Sequence, residues 1–271
     1  MRILINGILP YESGKTTLAL ALLKKFYEVG FNALPLKPMA GHNIWYSYHT
    51  VSRSMELKLL VGNDALKYLD ESGANIRLIN PFAVLFSPVD LEKIAYNISL
   101  YENLMYNGLP IMVRYSNCIE NFDYHYVSLE SLEIIPDSIR KVVEEMLNKF
   151  NVRFTTINSI KEFIDQSPTL IDQCLPSIFS RFENTLLESY NDAVAPSFLS
   201  LNADYIVLVS PGKAFLFDGK EVRKIVDLIA LPPWVIKGRN LIKYGKPIKS
   251  FSIETGYDKF NNEILDYIFK K

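Results

Sequence analysis

The residues best suited to chemistry lie within the first seventeen. Gly7-Ile8-Leu9-Pro10-Tyr11-Glu12-Ser13-Gly14-Lys15-Thr16-Thr17 follows the apolar run Ile3-Leu4-Ile5 and precedes an apolar-periodic segment that starts at Leu18. A strand, a tight loop carrying Gly-Lys-Thr and then a helix is the context in which a loop binds phosphate. Backbone N–H groups of such a loop, together with the free N–H groups of the helix start, make an anion site that the helix dipole strengthens. Ser13, Gly14, Lys15, Thr16 and Thr17 are the candidate binding residues. Lys15 would bring a point charge to the β- and γ-phosphates of a bound nucleotide, and the Thr16 hydroxyl would reach Mg²⁺. The spacing departs from G-x-x-x-x-G-K-[ST]: Leu9 stands where the first glycine belongs, and Gly7 is the nearest glycine. The plainer alternative is a strand–turn–helix in which Gly14 only relieves backbone strain.

The elements that must position these residues follow in order. Ala19, Leu22, Leu23 and Phe26 repeat at helical spacing, which predicts a helix to about Val29 with Gly30 as its stop. A second strand over about Asn32 to Leu36 ends at Lys37-Pro38, giving a βαβ unit with parallel strands. Met39 to Thr50, with His42, Trp45, Tyr46, Tyr48 and His49, reads as a loop that holds substrate or covers an apolar edge. A helix starts at Asn63-Asp64 and is closed by Gly73, with Asp64 readable as its cap. Asn80-Pro81 and Ser87-Pro88 punctuate an extended stretch, and a helix is expected after Asp90. Strands at 111–115 and 124–127, a helix after Pro136 and a strand at 152–154 form an aromatic-rich α+β elaboration. Thr185 to Glu188 and Tyr205 to Val209 read as buried parallel strands, and Ala214 to Phe217 as a hairpin or edge strand. Helices are expected over about 221–229 and 257–269.

Composition narrows the partners. The 271 residues carry 29 basic and 30 acidic side chains, a net charge of −1, which gives no electrostatic case for nucleic acid or an anionic membrane. No apolar run reaches the roughly 18–20 residues of a bilayer span, and no signal pattern opens the chain. Cys118 and Cys174 stand in no metal or redox spacing. Each is expected as a separate thiol, which favours a reducing, cytoplasmic setting. With no repeat or linker, residues 1–271 are expected as one domain, with an insertion at roughly 95–180.

Several segments together resemble dethiobiotin synthetase and the related amidating cobyrinic acid synthases, in the SIMIBI class of P-loop ATPases. Gly7 to Thr17 is similar to that family's G-T-x-x-x-x-G-K-T loop, with one extra residue. Leu36-Lys37-Pro38-Met39-Ala40-Gly41 looks like its Y-K-P-V-A-S-G, and Gly62-Asn63-Asp64-Ala65-Leu66 like its N-S-D-A-L. Asn80-Pro81 with Ser87-Pro88 resembles its N-P-Y and S-P, and Leu187-Glu188-Ser189 stands at its V-E-G-A-G-G strand end. The resemblance covers residues 1 to about 90 and 184 to about 210.

It implies an α/β P-loop NTPase fold, a mostly parallel central sheet flanked by helices, and an ATP- and Mg²⁺-dependent ligase or ATPase. Thr16, Asp64 and Glu188 would be the metal-side residues, and Lys15 and Lys37 the catalytic lysines. The expected partners are the nucleotide and an unidentified small carboxylate or carbamate, within a monomer or homodimer. In place of the family's glycine-rich turn stands Ser189-Tyr190-Asn191-Asp192, which alters the substrate side. The competing reading is a SIMIBI-type regulatory ATPase switch acting on a protein partner. Dimeric switches of that class often carry an extra lysine early in the loop, where this chain has Pro10-Tyr11-Glu12-Ser13.

Overall fold

The computed structural model of the chain describes residues 1–118, 120–253 and 263–269. It is an α/β structure with two mixed sheets and, among the described residues, eleven α-helices. The strands are β1 (Arg2–Gly7), β2 (Ala33–Leu36), β3 (Met39–Asn43), β4 (Phe82–Ser87), β5 (Leu109–Asn117), β6 (Phe122–Ser128), β7 (Val152–Thr155), β8 (Asn184–Glu188), β9 (Tyr205–Ser210), β10 (Lys213–Asp218) and β11 (Lys249–Ser252).

The first sheet has the order β11-β10-β9-β1-β8-β2. Its β9, β1, β8 and β2 are mutually parallel, while β10 pairs antiparallel with β9 and β11 closes that edge antiparallel to β10. β1 and β2 belong to a βαβ unit, but β8 lies between them. β1, β8 and β9 are buried almost throughout, as strands covered on both faces must be, and β1 and β9 are mostly apolar. β2 contains Pro35, and its place at the sheet edge is where a missing backbone donor is tolerated. The helix Lys15–Glu28 buries Leu18, Ala19, Leu22, Leu23 and Phe26, the face predicted from spacing.

The second sheet runs β3-β4-β5-β6-β7, with β4-β5-β6 antiparallel and a parallel strand at each edge. It draws on the chain from Met39 onward, upstream of the 95–180 stretch expected as the elaboration. Its β3 and the helix Tyr48–Leu57 occupy most of the segment expected as a loop. Gly, Asn and His argue against a strand by propensity, but Ala40 and His42 alternate inward and the strand pairs with β4.

Three further expectations change. The helix after Asp90 begins at Ile98. A 25-residue helix, Ile157–Arg181, fills a stretch for which no element was expected, and it contains Pro168 and Pro176. Its apolar face, Ile160, Ile171, Cys174, Leu175 and Ile178, packs over β5, and that burial outweighs the lost backbone bonds. Finally, Cys118 and Cys174 are bonded to each other as a disulfide between the end of β5 and this helix. Separate thiols were expected because a 56-residue separation carries no pairing signal in sequence, and the inference of a reducing compartment loses its basis. Of the expected C-terminal helix, Glu263–Phe269 is present and 257–262 lies outside the described residues. Among the described residues no helix is long and apolar enough to cross a membrane.

Candidate functional site

β1 ends at Gly7, and the chain loops over residues 8–14 before entering the helix at Lys15. Gly14 has φ +89°, a left-handed conformation that favours glycine, and no side chain caps the helix start. Gly7 is needed for space: a Cβ there would lie 2.7 Å from Ser13 Oγ and 3.0 Å from both Leu9 O and Lys15 Nζ. Ser13, which is buried, fixes the loop by donating to Leu9 O (2.7 Å) and accepting from Leu9 N (3.1 Å). Lys15 Nζ folds over the loop and donates to Pro10 O at 3.2 Å. Thr16 and Thr17 are half-buried in the first helical turn.

Thr16 donates to Glu188 Oε1 at 3.1 Å, across 172 residues of sequence. Glu188 closes β8 beside β1 and is fully buried. Its Oε1 also accepts from Lys37 Nζ at 2.6 Å, and its Oε2 accepts from the Tyr68 hydroxyl. Lys37 follows β2, on the other flank of β8, and its ammonium also donates to Ser189 O (3.1 Å) and pairs with Asp64 Oδ2 (3.3 Å). Thr16 also stands close enough to Asp64 to favour its charged form. The loop helix, β2, β8 and the helix Asn63–Ser72 thus deliver Thr16, Lys37, Glu188 and Asp64 to one point.

Asp64 is not the helix cap. Gly62 occupies that position, and Asp64 lies in the first turn, where its charge suits the helix dipole while its oxygens reach Lys37 and Lys67. Tyr68 was missed in the sequence. Its signal was its position four residues after Asp64, on the same helical face.

The electrostatics set two ammonium groups against two carboxylates. Burial pulls the Lys15 ammonium below its ordinary pKa and the Lys37 charge adds to the pull, while Glu188, Asp64 and Asp192 oppose it. Lys37 feels a larger burial penalty, yet the Glu188 and Asp64 carboxylates overcome it and hold Lys37 above the usual lysine range. Burial would raise Asp64, but Lys37, Lys67 and the Thr16 hydroxyl keep it below the ordinary carboxylate value.

On the other side of the loop, Asp192 forms an ion pair with Lys237 at 3.1 Å and accepts from Gly238 N at 2.6 Å. A Cβ at Gly238 would lie 2.5 Å from Gly7 O, so this segment packs directly on the loop base. Tyr190 is half-buried, and burial pushes its hydroxyl up to about 12. The exposed Trp45, Tyr46 and Tyr48 lead into the helix whose Thr50 donates to Asn63 Oδ1, beside Asp64.

The Thr16 hydroxyl with the Asp64 and Glu188 carboxylates is a set of hard oxygen donors of the kind Mg²⁺ accepts. Among the described residues no group of three or more His, Cys, Asp or Glu gathers as a metal site. A cation here would therefore rest on two carboxylates, the hydroxyl and non-protein oxygens, as Mg²⁺ commonly does. No family model, curated protein or solved structure matches the chain.

Proposed function

We propose that the chain is an ATP- and Mg²⁺-dependent enzyme of the dethiobiotin synthetase-like kind, which activates a carboxylate or carbamate by phosphoryl transfer. In this reading the first sheet is a P-loop NTPase core and residues 7–17 are its phosphate loop. The observation that carries it is the convergence of Thr16, Lys37, Asp64 and Glu188 beside that loop, from four separate segments. A structural salt bridge needs one lysine and one carboxylate. Here a buried lysine sits between two carboxylates, a second lysine lies nearby, and an uncapped helix N-terminus completes the anion site.

Mg²⁺, when bound, would neutralise charge on the bridging phosphate oxygens. Thr16, Asp64 and Glu188 would hold it. The loop N–H groups and Lys15 bind and orient the phosphates. Lys37 changes partner on nucleotide binding, from the carboxylates toward the γ-phosphate, and stabilises charge that grows in the transition state. Tyr68 keeps Glu188 oriented through Oε2 during that exchange. Asp192 and Lys237 face the same loop and shape the acceptor side.

Titration calorimetry with a non-hydrolysable ATP analogue and Mg²⁺ tests the reading. Binding by the wild-type chain and its loss in Lys15→Ala is the expected result. Equal heats for the two proteins would sink it. A metabolite screen read out by ADP release then identifies the acceptor.

A further inference from the structure

We propose that Asn80, held in place by Arg114, is a positioning residue for Lys37 and Asp64. This rests on the nucleotide-site reading of that pair. Asn80 lies just before β4 and is fully buried. Its amide nitrogen donates to Lys37 O at 2.9 Å and to Phe82 O at 2.8 Å. Its amide oxygen accepts from Gly62 N at 3.2 Å and from Arg114 Nη2 at 3.1 Å. Two donors and two acceptor sites are the whole capacity of an asparagine side chain, and all four are used.

The bonds are placed with respect to the site. Lys37 O belongs to the residue whose ammonium meets Glu188 and Asp64. Gly62 is the cap of the helix whose second residue is Asp64. One side chain therefore fixes the distance between the two backbones that carry the Lys37–Asp64 pair. A second bond ties the Lys37 backbone to the residue before Asn80: Lys37 N donates to Ile79 O at 2.7 Å.

Arg114 supports Asn80 from the second sheet. It is fully buried on β5, donates through Nε to Leu60 O at 2.7 Å, and reaches Asn80 O and Ser116 Oγ with its remaining nitrogens. Ser116 in turn donates to Asp123 at 2.6 Å, so the guanidinium meets its counter-charge only through a hydroxyl. A rigid fork with fixed donor directions is what makes arginine suited to clamping two carbonyls and an amide at once. The clamp spans Leu60 to Asn80, the segment that contains Asp64.

The test uses the full chain as Asn80→Ala and Asn80→Asp. Asn80→Asp keeps the size and the two accepted bonds, and it offers Arg114 a carboxylate. It replaces the donors to Lys37 O and Phe82 O by a carboxylate oxygen that repels both carbonyls, so it displaces the Lys37 backbone by a different route if Asn80→Ala does not fold. The expected result is a kcat for Mg·ATP turnover lower by about 10- to 100-fold, as for loss of a supporting partner behind a reactive group. KM for ATP should change much less, and wild-type-like melting would separate this from unfolding. A crystal structure of either variant should show the Lys37–Glu188 or Lys37–Asp64 contact lengthened. Wild-type kcat in a folded variant, or unmoved Lys37 and Asp64 in the crystal, overturns the proposal. A wild-type chain with no Mg·ATP turnover instead refutes the nucleotide reading, and the proposal with it.

Discussion

Replacing Lys37 by methionine keeps most of the side-chain volume and removes the ammonium. Two losses with different sizes follow. Glu188 is fully buried and keeps only Thr16 and Tyr68 as donors, so its charge is left without a directly paired cation, with Lys15 acting only from farther off. Breaking a buried pair on one side costs about 3–5 kcal/mol of stability. The second loss is kinetic. If Lys37 meets the γ-phosphate, its absence should slow turnover on the order of a hundredfold, about 2.7 kcal/mol of activation free energy. Nucleotide affinity should hold, because Lys15 and the loop backbone remain. Urea unfolding, single-turnover hydrolysis and calorimetry on one preparation separate the three quantities. The double variant Lys37→Met/Glu188→Gln removes both charges and should be more stable than Lys37→Met alone, with turnover still low. A Lys37→Met protein that unfolds at the wild-type urea midpoint and turns over normally would refute both halves of the reasoning.

Gly7→Ala should abolish nucleotide binding by calorimetry, because its methyl meets Ser13 Oγ, Leu9 O and Lys15 Nζ within 3.0 Å; an alanine variant with wild-type affinity would show that the loop has room to yield. Opening the disulfide with Cys118→Ser/Cys174→Ser frees a 56-residue closure and should lower stability by roughly 4 kcal/mol in urea unfolding, and an unchanged midpoint would contradict it. His42 is held down to about 4 by burial, and His125 to about 4 by burial and then by the Arg114 charge. Both are neutral when folded and take up a proton near pH 6.5 when unfolded, so stability is full above that pH, falls between about 6.5 and 4, and levels off below. Each accounts for up to about 3 kcal/mol of that fall, and His42→Leu should flatten the urea midpoint against pH; a profile as steep as wild type would exclude His42.

Much of the site could be read from the chain because its residues sit where local chemistry announces them. Gly14-Lys15-Thr16 stands between an apolar strand and a periodic helix, and both elements form at the expected bounds. Lys37 follows a four-residue strand and precedes proline, and Glu188 ends a buried strand. What stayed hidden depends on tertiary context. The longest helix carries Pro168 and Pro176, which local rules count against a helix, and it is sustained by the face that β5 covers. β3 was hidden by Gly41 and Asn43, which a parallel neighbour makes acceptable. The Cys118–Cys174 bond is a product of how β5 and the long helix meet, and no spacing rule reaches that far.

The same contrast bears on the second sheet. Read by sequence, its aromatic strands were an elaboration, either packed on the sheet or in contact with a partner or substrate. In the fold, β4 and β5 form the wall behind Lys37 and Asp64. Phe82 N donates to Pro38 O, Asn80 holds Lys37 O and Gly62 N, and Arg114 binds Leu60 and Asn80 together. Ser116, on the same strand as Arg114, ties the clamp to Asp123, which also pairs with Arg77 at 2.7 Å. A lysine between two carboxylates is poised only if its backbone cannot retreat, since four methylene groups would otherwise let the ammonium follow either partner. β2 supplies one side of that constraint and the second sheet the other. The two sheets are therefore coupled at Lys37, and if the proposed activity holds, changes at Asn80 or Arg114 should register in turnover although neither side chain bonds to residues 7–17 among the described contacts.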